Sequence, residues 1–166
     1  MDRYNERLIS GKASMGAILG LVGAIILTVI GAGLFLFTPP IGVLILVVGI
    51  ALIVFAKDGL SVEYEYIITN GDIEIAKILS KKKRKGVANI ESEKINRMER
   101  ADNDRVKNDI SLGKYKVKSF VGKESSENEI AIFVGEGDNQ EIYVLDFDDK
   151  CIDHMNQVLK LKSNVK

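Results

Sequence analysis

The densest group of residues able to do chemistry is Lys81-Lys82-Lys83-Arg84-Lys85. Such a run performs no covalent step; it binds anions. Near an anionic bilayer surface each basic residue contributes about 1 kcal/mol, so the run predicts contact with lipid headgroups. Two other readings compete: a solvated loop that keeps a sheet edge soluble, and an acidic protein partner. Asp102-Asn103-Asp104 opens like a calcium loop, but Lys107 stands where glycine is required. Val106 and Gly113 occupy the positions of a ligand and of the bidentate glutamate. Asp146, Asp148 and Asp149 cluster as they would at a helix start, where a carboxylate caps the first amides; no histidine or cysteine geometry supports a metal there. His154 and Cys151 are single occurrences; the histidine is expected at the surface and the cysteine in packing rather than as a nucleophile. Gly135-Glu136-Gly137 is a lone G-x-G in a hairpin turn, too little for a nucleotide site. With no nucleophile–base pair, metal set or phosphate loop, no enzymatic activity and no cofactor are expected.

The element that must position everything else is Ala13 to Ala56, which contains no charged side chain. One crossing of a hydrocarbon core needs roughly 20 apolar residues at about 1.5 Å rise each, so this stretch predicts two. Thr38-Pro39-Pro40 divides it, because proline donates no N–H and disfavours helix before it. The spans are expected at Ser14–Phe37 and Ile41–Ala56, the short second one ending on Lys57. A signal peptide would be shorter and unpaired, and a soluble buried hairpin would show a polar face on at least one helix. The turn carries no basic residue, whereas Arg3, Arg7, Lys12 and Lys57 flank the spans. The positive-inside rule therefore puts both termini in the cytoplasm and the turn outside.

Small residues at Gly16, Gly20, Ala24, Thr28 and Ala32 recur every four positions, and such seams let helices approach closely in lipid. The seam either packs within the hairpin, through Gly42 and Gly49, or drives self-association or docking on a larger membrane partner. Neither span holds an ionisable side chain, which disfavours an ion or proton pathway.

The remaining chain supplies one domain's worth of residues. Residues 1–13 read as a short cytoplasmic lead-in, with Tyr4, Leu8 and Ile9 able to rest at headgroup level, residues 14–56 as the hairpin and residues 57–166 as the cytoplasmic domain. Val62–Thr69 alternates, with Val62, Tyr64, Tyr66 and Ile68 on one face, and predicts a strand. Asn70-Gly71 predicts a type I′ turn, and Asp72–Leu79 the returning strand. Ser80–Gly86 is expected as a loop or frayed strand end, followed by a short strand at Val87–Ile90. Glu91–Lys94 predicts a helical turn and Ile95–Arg100 a strand, with a single amphipathic helix over Glu91–Arg100 as the alternative. Ala101–Leu112 is expected as a long loop. Strands follow at Lys114–Val121, Glu129–Gly135 and Glu141–Phe147, with a turn over residues 135–139. A helix follows from Asp149 to about Leu161 with Ile152, Met155 and Leu159 inward. About seven short strands and one closing helix suit a small barrel or two packed sheets.

The run Tyr64-Glu65-Tyr66-Ile67-Ile68-Thr69-Asn70-Gly71 resembles the opening of the bacterial pleckstrin-homology-like domain, and the helix from Asp149 resembles that fold's capping helix. The whole chain is similar to a family of bacterial membrane proteins with two spans and such a domain. The resemblance implies a PH-like barrel or sandwich and no particular activity. It does not extend to phosphoinositide binding: lipid-binding relatives carry basic residues between the first two strands, where this chain has only Asn70-Gly71.

Lys and Arg total 23 against 23 Asp and Glu, and this balance argues against a dedicated nucleic-acid binder. The expected class is a non-catalytic binding or scaffold module held at the inner membrane. The alternative is an accessory subunit of a transport or envelope complex. The expected partners are the bilayer, anionic headgroups, and a second copy or a larger membrane protein.

Overall fold

The computed structural model describes residues 4–123, 128–135 and 140–165. The chain divides into two units. One takes Lys12–Val62 with Leu79–Lys83; the other takes the segment through Gly11, Glu63–Ile78 and the chain from Arg84 on.

The first unit is built on two apolar helices, α1 (Met15–Phe35) and α2 (Pro39–Ala56). Ser14 caps α1, its side chain accepting from the Ala17 amide at 3.1 Å. The break falls slightly earlier than the prolines suggest: the connection is Leu36–Thr38, and Pro39 and Pro40 open α2. In the first turn of a helix a missing N–H costs nothing and the fixed φ is already helical. The two helices rise about 31 and 27 Å at the standard pitch. Only Ala24 and Gly31 of α1 and Gly42 and Gly49 of α2 are buried. Ile18, Leu19, Val22, Val29, Leu44 and Val47 lie exposed. A core helix of a soluble protein would bury such residues.

The second unit is two four-stranded sheets. The first has the order β1 (Tyr4–Gly11), β2 (Val62–Thr69), β3 (Asp72–Leu79), β4 (Lys83–Ile90). Asn70 and Gly71 both have positive φ, as the I′ turn between β2 and β3 demands. Glycine is required at the second position, because a Cβ there would press on Val158 and Ser92. Residues 4–11 are thus no loose lead-in: they form the edge strand beside β2. The second sheet has the order β5 (Ile95–Arg100), β7 (Glu129–Val134), β8 (Glu141–Asp146), β6 (Lys116–Phe120). Glu91–Arg100 is not one helix: a 3-10 turn at Ser92–Lys94 leads into β5.

Ala101–Leu112 is not a long loop. It carries α3 (Asp104–Ser111), capped by the Asn103 side chain on the Arg105 amide at 3.0 Å. Val106 of α3 packs with Ala131, Phe133, Ile142 and Val144 on the outer face of the second sheet. By carrying the chain from β5 across that face, α3 delivers β6 to the far edge. There β6 runs parallel to β8, Val117 beside Ile142, while β7 is antiparallel to both β5 and β8. β5 and β6 therefore run in the same direction, and strands so oriented need the kind of crossover that α3 supplies between them.

The main core lies between the sheets and α4 (Asp149–Leu159), with Tyr66, Ile68, Ile73, Ile75, Ile132 and Phe147 buried. Ile152, Met155 and Leu159 of α4 join it. The sheets meet at one corner, where Gly11 bridges Gly122 and the Lys123 amide donates to the Ser10 carbonyl at 2.9 Å. The C-terminal segment lines the edge of β5, the Asn164 amide donating to the Met98 carbonyl at 2.9 Å. β4 is the outer strand of its sheet, so the architecture is an open pair of sheets, with eight strands among the described residues, rather than a closed barrel.

Candidate functional site: the basic turn and its anchor

Lys81 and Lys82 lie in the turn between β3 and β4, and Lys83, Arg84 and Lys85 open β4; all are exposed. Ser80 and Lys81 have φ of 51° and 55°. The Lys82 amide donates to the Leu79 carbonyl at 3.1 Å, closing a tight turn. Non-glycine residues held at such angles cost about 1 kcal/mol or more each and persist where neighbours over-determine them. The neighbours here are specific. The Ser80 amide donates to the Ser61 carbonyl at 2.8 Å. The Ser80 hydroxyl reaches the Asp58 carbonyl at 3.1 Å and its carboxylate at 3.0 Å. Asp58 sits in the 3-10 turn Lys57–Gly59 that directly continues α2. The lysine turn is therefore fastened to the end of the second apolar helix, a link invisible in the spacing of the lysines. Arg84 is set apart, its guanidinium paired with Glu65. Beside it a surface cavity of about 460 Å³ is lined by Glu74, Ala76, Gly86, Val87 and Asn89.

The small-residue positions separate into two sets. A methyl at Gly49 would lie 2.8 Å from the Thr28 backbone nitrogen, and one at Gly42 would fall on the Phe35 backbone; Ala24 is buried. Gly16 and Gly20 have nothing within 4 Å of a built Cβ.

The acidic groups serve structure. Asp148 caps α4, accepting from the Cys151 amide at 2.9 Å. Burial pushes the Asp148 carboxyl upward, but hydrogen bonds from Cys151 and the nearby Arg7 outweigh it, so the group titrates below its ordinary value. Asp146 is buried against Arg7 at 2.8 Å, and Arg7 also reaches Asp148 at 3.6 Å. Asp104 stands in the first turn of α3, and Asp102 pairs with Arg100 at 3.3 Å. Among the described residues no group of three His, Cys, Asp or Glu side chains is placed to hold a metal ion. His154, expected at the surface, is buried, because Asn5 of β1 lies against it with its side-chain nitrogen 3.2 Å from Nδ1. Cys151 is buried and its thiol is pushed up to about 12, chiefly by burial. The G-x-G segment lies outside the described residues beyond Gly135.

Sequence reading missed one cluster. Lys118 Nζ lies 2.7 Å from Glu141 and 3.1 Å from the Tyr143 hydroxyl, which donates to Glu141 at 2.6 Å. Tyr143 is raised by burial first and Lys118 is raised by its hydrogen bond to Glu141. The cluster ties β6 to β8. Glu141 and Tyr143 stand two residues apart on β8, but Lys118 is distant in sequence, and only the parallel β6–β8 register brings it to them.

The family model described as Bacterial PH-like domain (DUF6106) matches residues 1–165. The chain belongs to that family. No curated protein and no solved structure matches it. The match covers the hairpin as well as the sheets, and the two apolar helices fit a two-span membrane protein. PH-like domains are generally non-catalytic.

Proposed function

We propose that this protein is a membrane anchor presenting a non-catalytic PH-like binding module at the inner face of the cytoplasmic membrane, with Lys81–Lys85 against anionic headgroups. The observation that carries the reading is a strand pairing. β1 precedes α1, β2 follows α2, and the two are neighbours in one sheet. Flanks that pair cannot lie on opposite sides of a bilayer, so the apolar segment crosses an even number of times. Lys12, Lys57 and the lysine turn belong to that shared side, and Leu36–Thr38 has no charge, a distribution that supports a cytoplasmic location for the shared side. The hydrogen bonds from Ser80 to Asp58 support headgroup contact, since they hold the lysines close to where α2 leaves the hydrocarbon. Four lysines there contribute about 4 kcal/mol to surface attraction at the usual increment.

Hydrogen exchange on the full-length protein in nanodiscs tests this. Amides 80–86 should exchange more slowly in discs containing phosphatidylglycerol than in pure phosphatidylcholine. Replacing Lys81–Lys85 by glutamine, or adding salt, should remove the difference. Equal exchange in both lipids would contradict headgroup contact and favour a solvated turn.

A further inference from the structure

The hairpin carries an apolar groove that its own side chains do not fill. It has a volume of about 580 Å³ and lies between the start of α1 and the end of α2, lined by Gly16, Gly20 and Gly23 on one wall and Leu52, Phe55 and Gly59 on the other. Its mouth is basic. Lys12 precedes α1, Lys57 lies between the lining residues Ala56 and Gly59, and Ser80 fastens Lys81 and Lys82 to Asp58. Lys12, Lys57, Lys81 and Lys82 take part in no ion pair among the described residues. Asp58, the carboxylate at this mouth, already accepts from Ser80.

We infer that this groove holds one acyl chain of an anionic phospholipid, whose phosphate is gripped by Lys57, Lys81 and Lys82. The inference rests on the membrane reading above and gives it a specific ligand. In hydrocarbon the groove gains nothing from hiding apolar surface, since lipid tails are as apolar as leucine. Its occupant is therefore chosen by the charge at its mouth. A second copy of the hairpin would bring two unpaired lysine clusters together, and like charges brought close are repelled. An anionic phospholipid supplies both the tail that fills the groove and the phosphate that satisfies the lysines.

Native mass spectrometry of the full-length protein, released from membranes containing phosphatidylglycerol and phosphatidylethanolamine, tests the inference. One phosphatidylglycerol per chain should survive detergent removal. Gly20→Leu should displace it without disturbing the fold, because the position is open. Each of Lys57→Gln, Lys81→Gln and Lys82→Gln should weaken retention about fivefold, the equivalent of about 1 kcal/mol. Retention insensitive to Gly20→Leu, indifference between the two lipids, or a dimer that Gly20→Leu dissolves would each overturn it. Alkaline carbonate treatment separates the two levels. Extraction of the wild type by carbonate would remove the membrane reading itself, whereas a retained protein without bound lipid would remove the groove ligand alone.

Discussion

At the scale of single residues, the ion pair between Arg7 and Asp146 does more than its exposure suggests. Asp146 is buried, Arg7 is 22% exposed, and the pair fastens β1 to the end of β8. Removing one partner of a buried pair leaves a charge without compensation and costs 3–5 kcal/mol when burial is complete. Arg7→Ala should therefore cost about 2–3 kcal/mol in a denaturant titration of the detergent-solubilised protein. The double variant Arg7→Ala/Asp146→Ala should recover part of that loss; no recovery would mean that Arg7 acts by packing alone. Cys151 gives a second check. With its thiol pushed to about 12 by burial, the reactive thiolate is scarce at neutral pH, and it grows only as pH rises toward that value. Iodoacetamide should leave the native protein unmodified at pH 8 and label it on unfolding; rapid native labelling would show that α4 opens.

At the scale of elements, glycine position decides what the hairpin tolerates. Gly42 and Gly49 lie where the helix backbones touch, while Gly20 faces open space. Gly49→Ala must push α1 and α2 apart and should lower the melting temperature, whereas Gly20→Ala should leave it unchanged or raise it slightly through helix propensity. Equal effects would place the close approach elsewhere. What the sequence made legible among the elements was what could be read locally. The charge-free run, the alternation of β2 and the Asn70-Gly71 turn each carry their signal within a few residues. β1 escaped because Asn5 and Arg7 occupy the alternate positions that elsewhere hold apolar residues, and because its partner β2 lies beyond the whole hairpin. That omission propagated: without β1, His154 had no neighbour to bury it and Asp146 no counter-ion. α3 escaped because it buries a single side chain, Val106, and because its Asn103 cap sits in an acidic triplet that resembles a calcium loop. The parallel placement of β6 follows from α3 and was hidden with it. Of the candidate site, the lysines themselves were plain from composition, but their attachment to Asp58 through Ser80 depends on the β3–β4 turn meeting the end of α2.

At the scale of the whole molecule, the central claim is topological. On the proposed reading the chain enters the bilayer after β1 and returns into β2, with the sheet that pairs the two strands on the cytoplasmic side. Single cysteines in a Cys151→Ser background test it most directly, using a membrane-impermeant thiol reagent on intact and on permeabilised cells. Thr38→Cys lies in the connection between the helices, and Leu161→Cys replaces a side chain that is 99% exposed after α4. The account predicts that Thr38→Cys is labelled in intact cells and that Leu161→Cys is labelled only after permeabilisation. Labelling of Leu161→Cys in intact cells, or protection of Thr38→Cys until permeabilisation, would contradict it.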